Sequence, residues 1–447
     1  MKSTHEQLNL PGVPRAKQGR EVAPQWAWTE GSVWTERMLE TLERGIKGGK
    51  WYSLMDKVCR QGNLESALKQ VCRNKGSAGI DGQSTEAVWQ RREGILPCIQ
   101  EQIRKGQYDP QPVKRQWIEK LGSKELRPLG IPTVKDRVVQ TALRSVIEPI
   151  FEQGFAEHSY GFRHGRGAKD ALRQVDKLLK SGLTWVVDAD LKGYFDSIPQ
   201  DKLMEALEEK IADGAVLKLI EKFLKQGVME SAREWKPTEQ GTPQGAVISP
   251  LLANIYLNPL DHEMAATGRE MVRYADDFVV LCGSEDEARK ALEDIQKWVA
   301  GVGLMLHPTK TRIVDAEQKG GFDFLGYHFE RGRKWPRKKS EDKLKEAIRQ
   351  KTRRNNGTSM KEIITGVNRT LKGWFEYFKH SAKPGFTALD KWVRTRLRAI
   401  LRTRNHLKRR GRMRDHRLWP NAYFVENGLF SLATARAQAI QSPLRRH

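Results

Sequence analysis

Residues 272–282 read VRYADDFVVLC, an apolar, β-branched run interrupted at its centre by two adjacent carboxylates, Asp276 and Asp277. A strand of this composition buries its side chains, and an ionised carboxylate among them needs a compensating partner. The flanking runs MVRY and FVVLC are each strand-like, so the pattern predicts a hairpin with ADD at or near its tip. A second acid-bearing strand lies upstream in WVVDADLKGYFDS (185–197). Alternation there sets Trp185, Val187, Ala189 and Leu191 on one face and Asp188 and Asp190 on the other. If the two segments are neighbours in one sheet, Asp190 and Asp276 converge. Clustered carboxylates repel unless a cation compensates, and a hard, oxygen-seeking ion such as Mg²⁺, shared with substrate phosphates, is the simplest choice. Asp is also an ordinary turn residue, so the pair alone does not decide the matter.

The chain has 447 residues, enough for two or three domains. Its net charge of +24 is unevenly spread: residues 331–447 hold 32 Lys and Arg against 8 Asp and Glu, so the remainder sums to zero. Trp and Tyr interleave with this basic quarter in KWPRKK, GWFEYFKH and KWVRTRLR, the composition of a surface for phosphates and bases. The four cysteines, Cys59, Cys72, Cys98 and Cys282, form no C-x-x-C pair, which argues against a zinc site and a disulfide framework. No signal peptide and no apolar stretch of about 20 residues is present, so the expectation is a cytoplasmic, nucleoid-associated protein without a membrane partner.

Four segments are expected. Residues 1–60 form an amino-terminal extension, largely flexible to about 35; within it Trp34, Met38, Leu42 and Ile46 predict a helix stopped by Gly48 and Gly49. Residues 61–330 alternate strands and helices, opening with a helix for which Asn63 is the expected N-cap. In GTPQGAVISPLLANIYL (241–257) a Gly/Pro loop leads into an apolar helix, with Ser249 as N-cap and Pro250 as its first residue. Residues 331–405 form a helical basic domain, and residues 406–447 a basic extension.

DADLKGYFDS, GTPQGAVISPLLANIYL, RYADDFVVL, LMLHPTKTRIV and GFDFLGYHF occur in that order, and together they resemble the palm motifs of group II intron-encoded reverse transcriptases. RNKGSAGIDG, RPLGIPTVKDRVVQTAL and SYGFRHGRGAKDAL resemble that family's fingers, and LKGWFEYFKH resembles its thumb, or maturase, segment. The resemblance covers residues 50–435. It implies an α+β right-hand polymerase with a helical basic thumb, in the form that lacks the carboxy-terminal H-N-H nuclease. It further implies RNA-directed DNA synthesis together with assistance to intron splicing and retrohoming. The partners implied are the intron RNA, an RNA template with a DNA primer, target DNA and dNTPs.

By the same resemblance, Asp190, Asp276 and Asp277, with the backbone carbonyl of Leu191, hold two Mg²⁺ ions, for which Mn²⁺ can substitute. Phe195 is the steric gate under the sugar, with Tyr194 next in line. Gln244 contacts the incoming nucleotide. Arg127 and Lys120 clamp the triphosphate, Lys124 being an alternative to Lys120 because EKLGSKEL departs from the family's hairpin. Lys310 protonates the leaving pyrophosphate. Arg163 and Arg166 are expected at phosphates beside the template. Lys372 and Lys379 flank an apolar helical stripe of Leu371, Trp374, Phe375 and Phe378, and Lys408, Arg409, Arg410 and Arg412 belong to the nucleic-acid grip. Two other readings use the same motifs: a non-catalytic splicing chaperone, and a host-defence or repair reverse transcriptase of group II descent.

Overall fold

The fold is that of a computed structural model describing residues 24–46, 48–119, 126–231, 234–238, 240–355, 357–382, 385–407 and 412–441. Helices α1 (Glu36–Arg44), α2 (Met55–Val58), α3 (Gln61–Asn74), α4 (Thr85–Gln90) and α5 (Arg92–Arg104) precede the hairpin β1 (Val113–Glu119) and β2 (Leu126–Ile131). Next come α6 (Val134–Glu152), α7 (Ala168–Lys180), β3 (Trp185–Asp190), α8 (Tyr194–Ser197), α9 (Gln200–Glu208) and α10 (Gly214–Lys225). Strands β4 (Val228–Ser231) and β5 (Glu234–Lys236) lead to α11 (Ser249–Ala266), the hairpin β6 (Glu270–Tyr274) and β7 (Asp277–Cys282), α12 (Glu285–Gly301) and β8 (Arg312–Asp315). Then β9 (Phe322–Phe324), β10 (Tyr327–Glu330) and β11 (Arg333–Pro336) give way to helices α13 (Lys338–Lys351), α14 (Met360–Phe378), α15 (Phe386–Arg404), α16 (Arg412–Leu418), α17 (Asn421–Glu426) and α18 (Leu432–Gln441). No helix among the described residues is long and apolar enough to cross a membrane.

These elements form two compact units. The first comprises residues within 1–112, 132–154 and 204–226 and is helical. Its α3 begins at Gln61, so Asn63 is not the expected N-cap. Asn63 is buried instead, donating to the Ala142 carbonyl at 3.0 Å and accepting from the Ser145 hydroxyl at 2.7 Å, which ties α3 to α6. The amide is thus spent on tertiary contacts, and the helix starts a turn earlier than local propensity indicates.

The second unit holds three sheets, in the orders β2-β1-β4-β5, β6-β7-β3-β8 and β11-β10-β9. In the second of these, β3 is antiparallel to both β7 and β8. Its one face buries Val186, Val272, Val279 and Leu281 against Ala171, Leu172, Val175 and Leu178 of α7 and the aromatic side of β9–β10. The other face buries Val187, Ala189, Phe278 and Val280, with α12 packed on β3, β7 and β8. Coverage of both faces explains why VVLC reads as a continuous apolar run.

Beyond β11, Leu344, Ile348, Ile364, Val367, Leu371, Phe375, Val393 and Leu397 form the core that joins α13, α14 and α15. Helix α14 is opened by a capping box in which the Ser359 hydroxyl accepts from Glu362 N at 3.2 Å and the Glu362 carboxylate accepts from Ser359 N at 2.9 Å. The Tyr377 hydroxyl donates to the Leu325 carbonyl at 2.8 Å and the Tyr327 hydroxyl to the Tyr377 carbonyl at 2.6 Å, so the helix is pinned to the β9–β10 hairpin. The β10–β11 hairpin carries the chain across position 330.

Candidate active site

The ADD stretch forms the tip of β6–β7: Tyr274 pairs with Asp277, leaving Ala275 and Asp276 as the loop. Ala275 takes φ +60°, the positive value that a two-residue hairpin loop requires at its first position. Two features hold this tip. Gly161 abuts it so closely that a Cβ there would collide with the backbone nitrogen of Ala275. Arg273, which has no exposed surface, spends all five N–H groups inside the protein. It donates from Nε to Asp261 at 2.7 Å, from Nη1 to the Asn254 amide oxygen at 3.1 Å and the Ala275 carbonyl at 3.0 Å, and from Nη2 to the Ser159 hydroxyl at 2.8 Å and to Asp261 again.

Across the strands, Asp190 of β3 stands directly opposite Asp277 of β7. Directly paired residues share a face, and so do residues two apart on a strand, so Asp188 lies on that face as well. Its cross-strand partner is Arg312 of β8, 3.3 Å away. Burial, and then repulsion from Asp188, Asp276 and Asp190, push the Asp277 carboxyl up to about 7, against the pull of Arg337. Burial likewise raises Asp188 to about 6, with Arg312 opposing. Lys310 Nζ lies 2.6 Å from Asp190 Oδ2, a monovalent cation already seated at the acid cluster.

This donor set fits a hard divalent cation: carboxylate oxygens that repel one another where water is partly excluded. Among the described residues no three His, Cys, Asp or Glu side chains are preassembled as a cage. An ion held here would therefore complete its shell with water, backbone or substrate oxygens. Next to Asp190, the bridge between Leu191 and Leu306 runs through the Asp190 carbonyl, which accepts from His307 N at 2.7 Å, and through Lys192 N–H, which donates to Met305 O at 2.8 Å.

The reverse transcriptase (RNA-dependent DNA polymerase) family profile matches residues 114–329, and the profile of the group II intron maturase-specific domain matches residues 341–419. Protein YkfC of Escherichia coli strain K12 is 31% identical over 383 residues, covering 76% of this chain and 94% of YkfC. The group II intron-encoded protein LtrA of Lactococcus lactis subsp. cremoris is 45% identical over 197 residues, 44% of this chain and 32% of LtrA. A 91 kDa protein in the cob intron of Schizosaccharomyces pombe is 32% identical over 296 residues, 53% of this chain and 35% of that protein. The chain belongs to the group II intron reverse transcriptase/maturase family. It thus spans almost all of one curated relative and about a third of the two others.

Reverse transcriptases use divalent metal ions. Phe195 is nearly buried in α8, with its carbonyl accepting from Thr242 N at 2.7 Å. A Cβ at Gly241, φ +80°, would lie 2.6 Å from that same carbonyl, so the GTPQG loop closes directly on Phe195. Tyr194 is core, with its hydroxyl on the Ala253 carbonyl at 2.6 Å. Gln244 donates from Nε2 to Asp196 Oδ2 at 2.7 Å, a partner that sequence reasoning missed. Both line a cavity of about 310 Å³ with Arg115, Trp117, Glu230 and Thr242. The Gln244 carbonyl accepts from Gly130 N at 2.6 Å, which joins the β1–β2 hairpin to the loop.

One expectation is corrected. Arg163 is buried, its Nη1 donating to the carbonyls of Ala156 at 2.6 Å and Ser159 at 2.8 Å while its guanidinium lies over Phe155. The loop's inward carbonyls need donors, and Arg163 supplies them instead of meeting phosphate. Arg166 also binds the loop, at the Glu157 carbonyl, and its guanidinium lies 5.8 Å from the Tyr160 ring. Lys372 is exposed on α14, with Nζ 5.9 Å from the Phe430 ring, and Lys379 pairs with Glu376 at 2.9 Å. His380, next to it, is held below the usual histidine range by burial and then by Lys379, Lys334, Lys169 and Arg173. That field reveals a basic cluster shared by α7, β11 and the end of α14, for which only Lys379 had been singled out. Lys120, Lys124, Lys408, Arg409, Arg410 and the side chains of Arg127 and Arg412 lie outside the described residues.

A pH effect follows from Asp277. A carboxyl raised to about 7 from its ordinary 3.8 favours the protonated state of the fold, so it costs stability progressively as pH rises between those values. A bound divalent ion reverses the cost. In chelator-treated protein, Mg²⁺ is expected to raise Tm at pH 8 and hardly at pH 5, and Asp277→Asn to raise the metal-free Tm at pH 8. Equal Mg²⁺ shifts at both pH values in differential scanning fluorimetry would contradict this.

Proposed function

We propose that the chain copies RNA into DNA at the Asp190–Asp277 pair and assists folding and splicing of a group II intron RNA through its basic carboxy-terminal quarter. The reading is carried by one observation: Asp190 faces Asp277 across β3 and β7 while Asp276 sits in a loop held by a fully engaged arginine. Asp190, Asp276, Asp277 and the Leu191 carbonyl would hold two Mg²⁺ ions, Mn²⁺ being able to substitute. Bound there, the ions supply Lewis-acid stabilisation to the primer 3′-hydroxyl and the departing pyrophosphate. Lys310 gives a proton to that pyrophosphate, and its contact with Asp190 is exposed enough to be exchanged for one with phosphate.

Gln244, oriented by Asp196, faces the incoming dNTP, and Arg127 with Lys120 clamps its triphosphate. Arg166, Lys372, Lys379, Lys408, Arg409, Arg410 and Arg412 contact phosphates of template, primer, intron RNA or target DNA. The proposed setting is the cytoplasm, in association with the nucleoid.

Primer extension on poly(rA)/oligo(dT) with Mg²⁺ tests the polymerase, and splicing of the cognate intron RNA with and without protein tests the maturase. Phe195→Ala opens space beside the sugar and should raise ribonucleotide over deoxyribonucleotide incorporation by roughly 10–100-fold. Unchanged discrimination at preserved activity would remove Phe195 from the gate.

A further inference from the structure

Phe162 is 50% exposed, although it is a large aromatic side chain next to the catalytic hairpin. Its backbone is held at φ +59°, a left-handed conformation that an aromatic residue rarely adopts. Such a residue persists only when its neighbours over-determine it, and here both do. Gly161 is trapped against Ala275, its carbonyl accepting from the Asn254 amide at 2.8 Å, and Arg163 is buried on two carbonyls. The chain is thus pinned on both sides of a strained residue whose ring faces solvent.

The ring lies 6.3 Å from that of Tyr274, the cross-strand partner of Asp277, which in turn faces Asp190. Phe162, Tyr274, Asp277 and Asp190 therefore form a row from the edge of the sheet to the acids, on one face. Strand spacing places Phe162 roughly 10 Å from Asp277. At about 3.4 Å per nucleotide along a strand, that is about three base-pair steps from the reacting end. Farther along α7, Lys169 and Arg173 offer cations on the same side of the sheet.

We propose that Phe162 is a seat for the primer–template duplex, its ring packing on the sugar and base edges of the pairs just behind the reacting end. The proposal rests on the polymerase reading above. Phe162→Ala and Phe162→Gly should each weaken binding of a primer–template by about tenfold and shorten products, with KM for dNTP unchanged. Glycine at this φ relieves strain, so Phe162→Gly should lose affinity without losing Tm. Photocrosslinking from p-benzoylphenylalanine at 162, with each strand labelled in turn, distinguishes the template from the primer as the strand contacted. Unchanged affinity in the glycine variant, or crosslinks to neither strand, would overturn the assignment and leave Phe162 a packing partner of Tyr274. Wild-type protein that fails to extend primers would overturn the polymerase reading, and this proposal with it.

Discussion

Asp190→Ala and Asp276→Ala are each expected to lower dNTP incorporation on poly(rA)/oligo(dT) by on the order of 10³-fold or more. Several kcal/mol of charge stabilisation depend on these oxygens, and each 1.36 kcal/mol is about tenfold in rate. Both residues are partly exposed at the open end of the sheet, and neither contributes to the apolar cores under it, so the fold should survive. Binding of intron RNA and any stimulation of splicing should largely persist, because the basic surface is untouched. Substantial polymerisation by a pure Asp276→Ala preparation would remove that residue from the metal set. Loss of RNA binding along with it would show that the acids hold the fold rather than the reaction.

The second large effect is expected at Arg273. Arg273→Met leaves Asp261, 3% exposed, as an unpaired buried carboxylate, and breaking a buried pair in this way costs about 3–5 kcal/mol. Urea denaturation should show that loss, and polymerase activity should fall with it. The double variant Arg273→Met/Asp261→Leu removes both charges and should regain most of the stability. It should not regain the rate, because the Ala275 carbonyl still lacks its donor and the loop carrying Asp276 is no longer held. Recovery of rate together with stability would make Arg273 a residue of the fold alone.

Arg273 also shows where reading the chain reached its limit. A lone arginine between Val272 and Tyr274 disturbs an apolar strand, which is a signal, but its partners come from two other segments, Asp261 and Asn254 from α11 and Ser159 from the stretch before α7. Nothing local pairs them. Arg163 failed in the opposite direction: the family resemblance put it at a phosphate, and whether it faces outward depended on which carbonyls the loop turned inward. The Gln244–Asp196 contact spans 48 positions and had no local signal at all.

The sequence by itself determined the strands, the hairpin at ADD and the acid face of WVVDAD. Period-two alternation and turn chemistry act over a few residues and survive any packing arrangement. It also determined the family, because several long motifs in fixed order carry far more information than any one of them. Only the tertiary structure decided which acids meet: register sets Asp277, not Asp276, opposite Asp190, and a slip of one residue would have turned the whole set to the other face. It alone decided which cations remain for a nucleic acid, because a guanidinium goes wherever buried carbonyls and carboxylates leave no other donor, and those are assembled only when distant segments fold together.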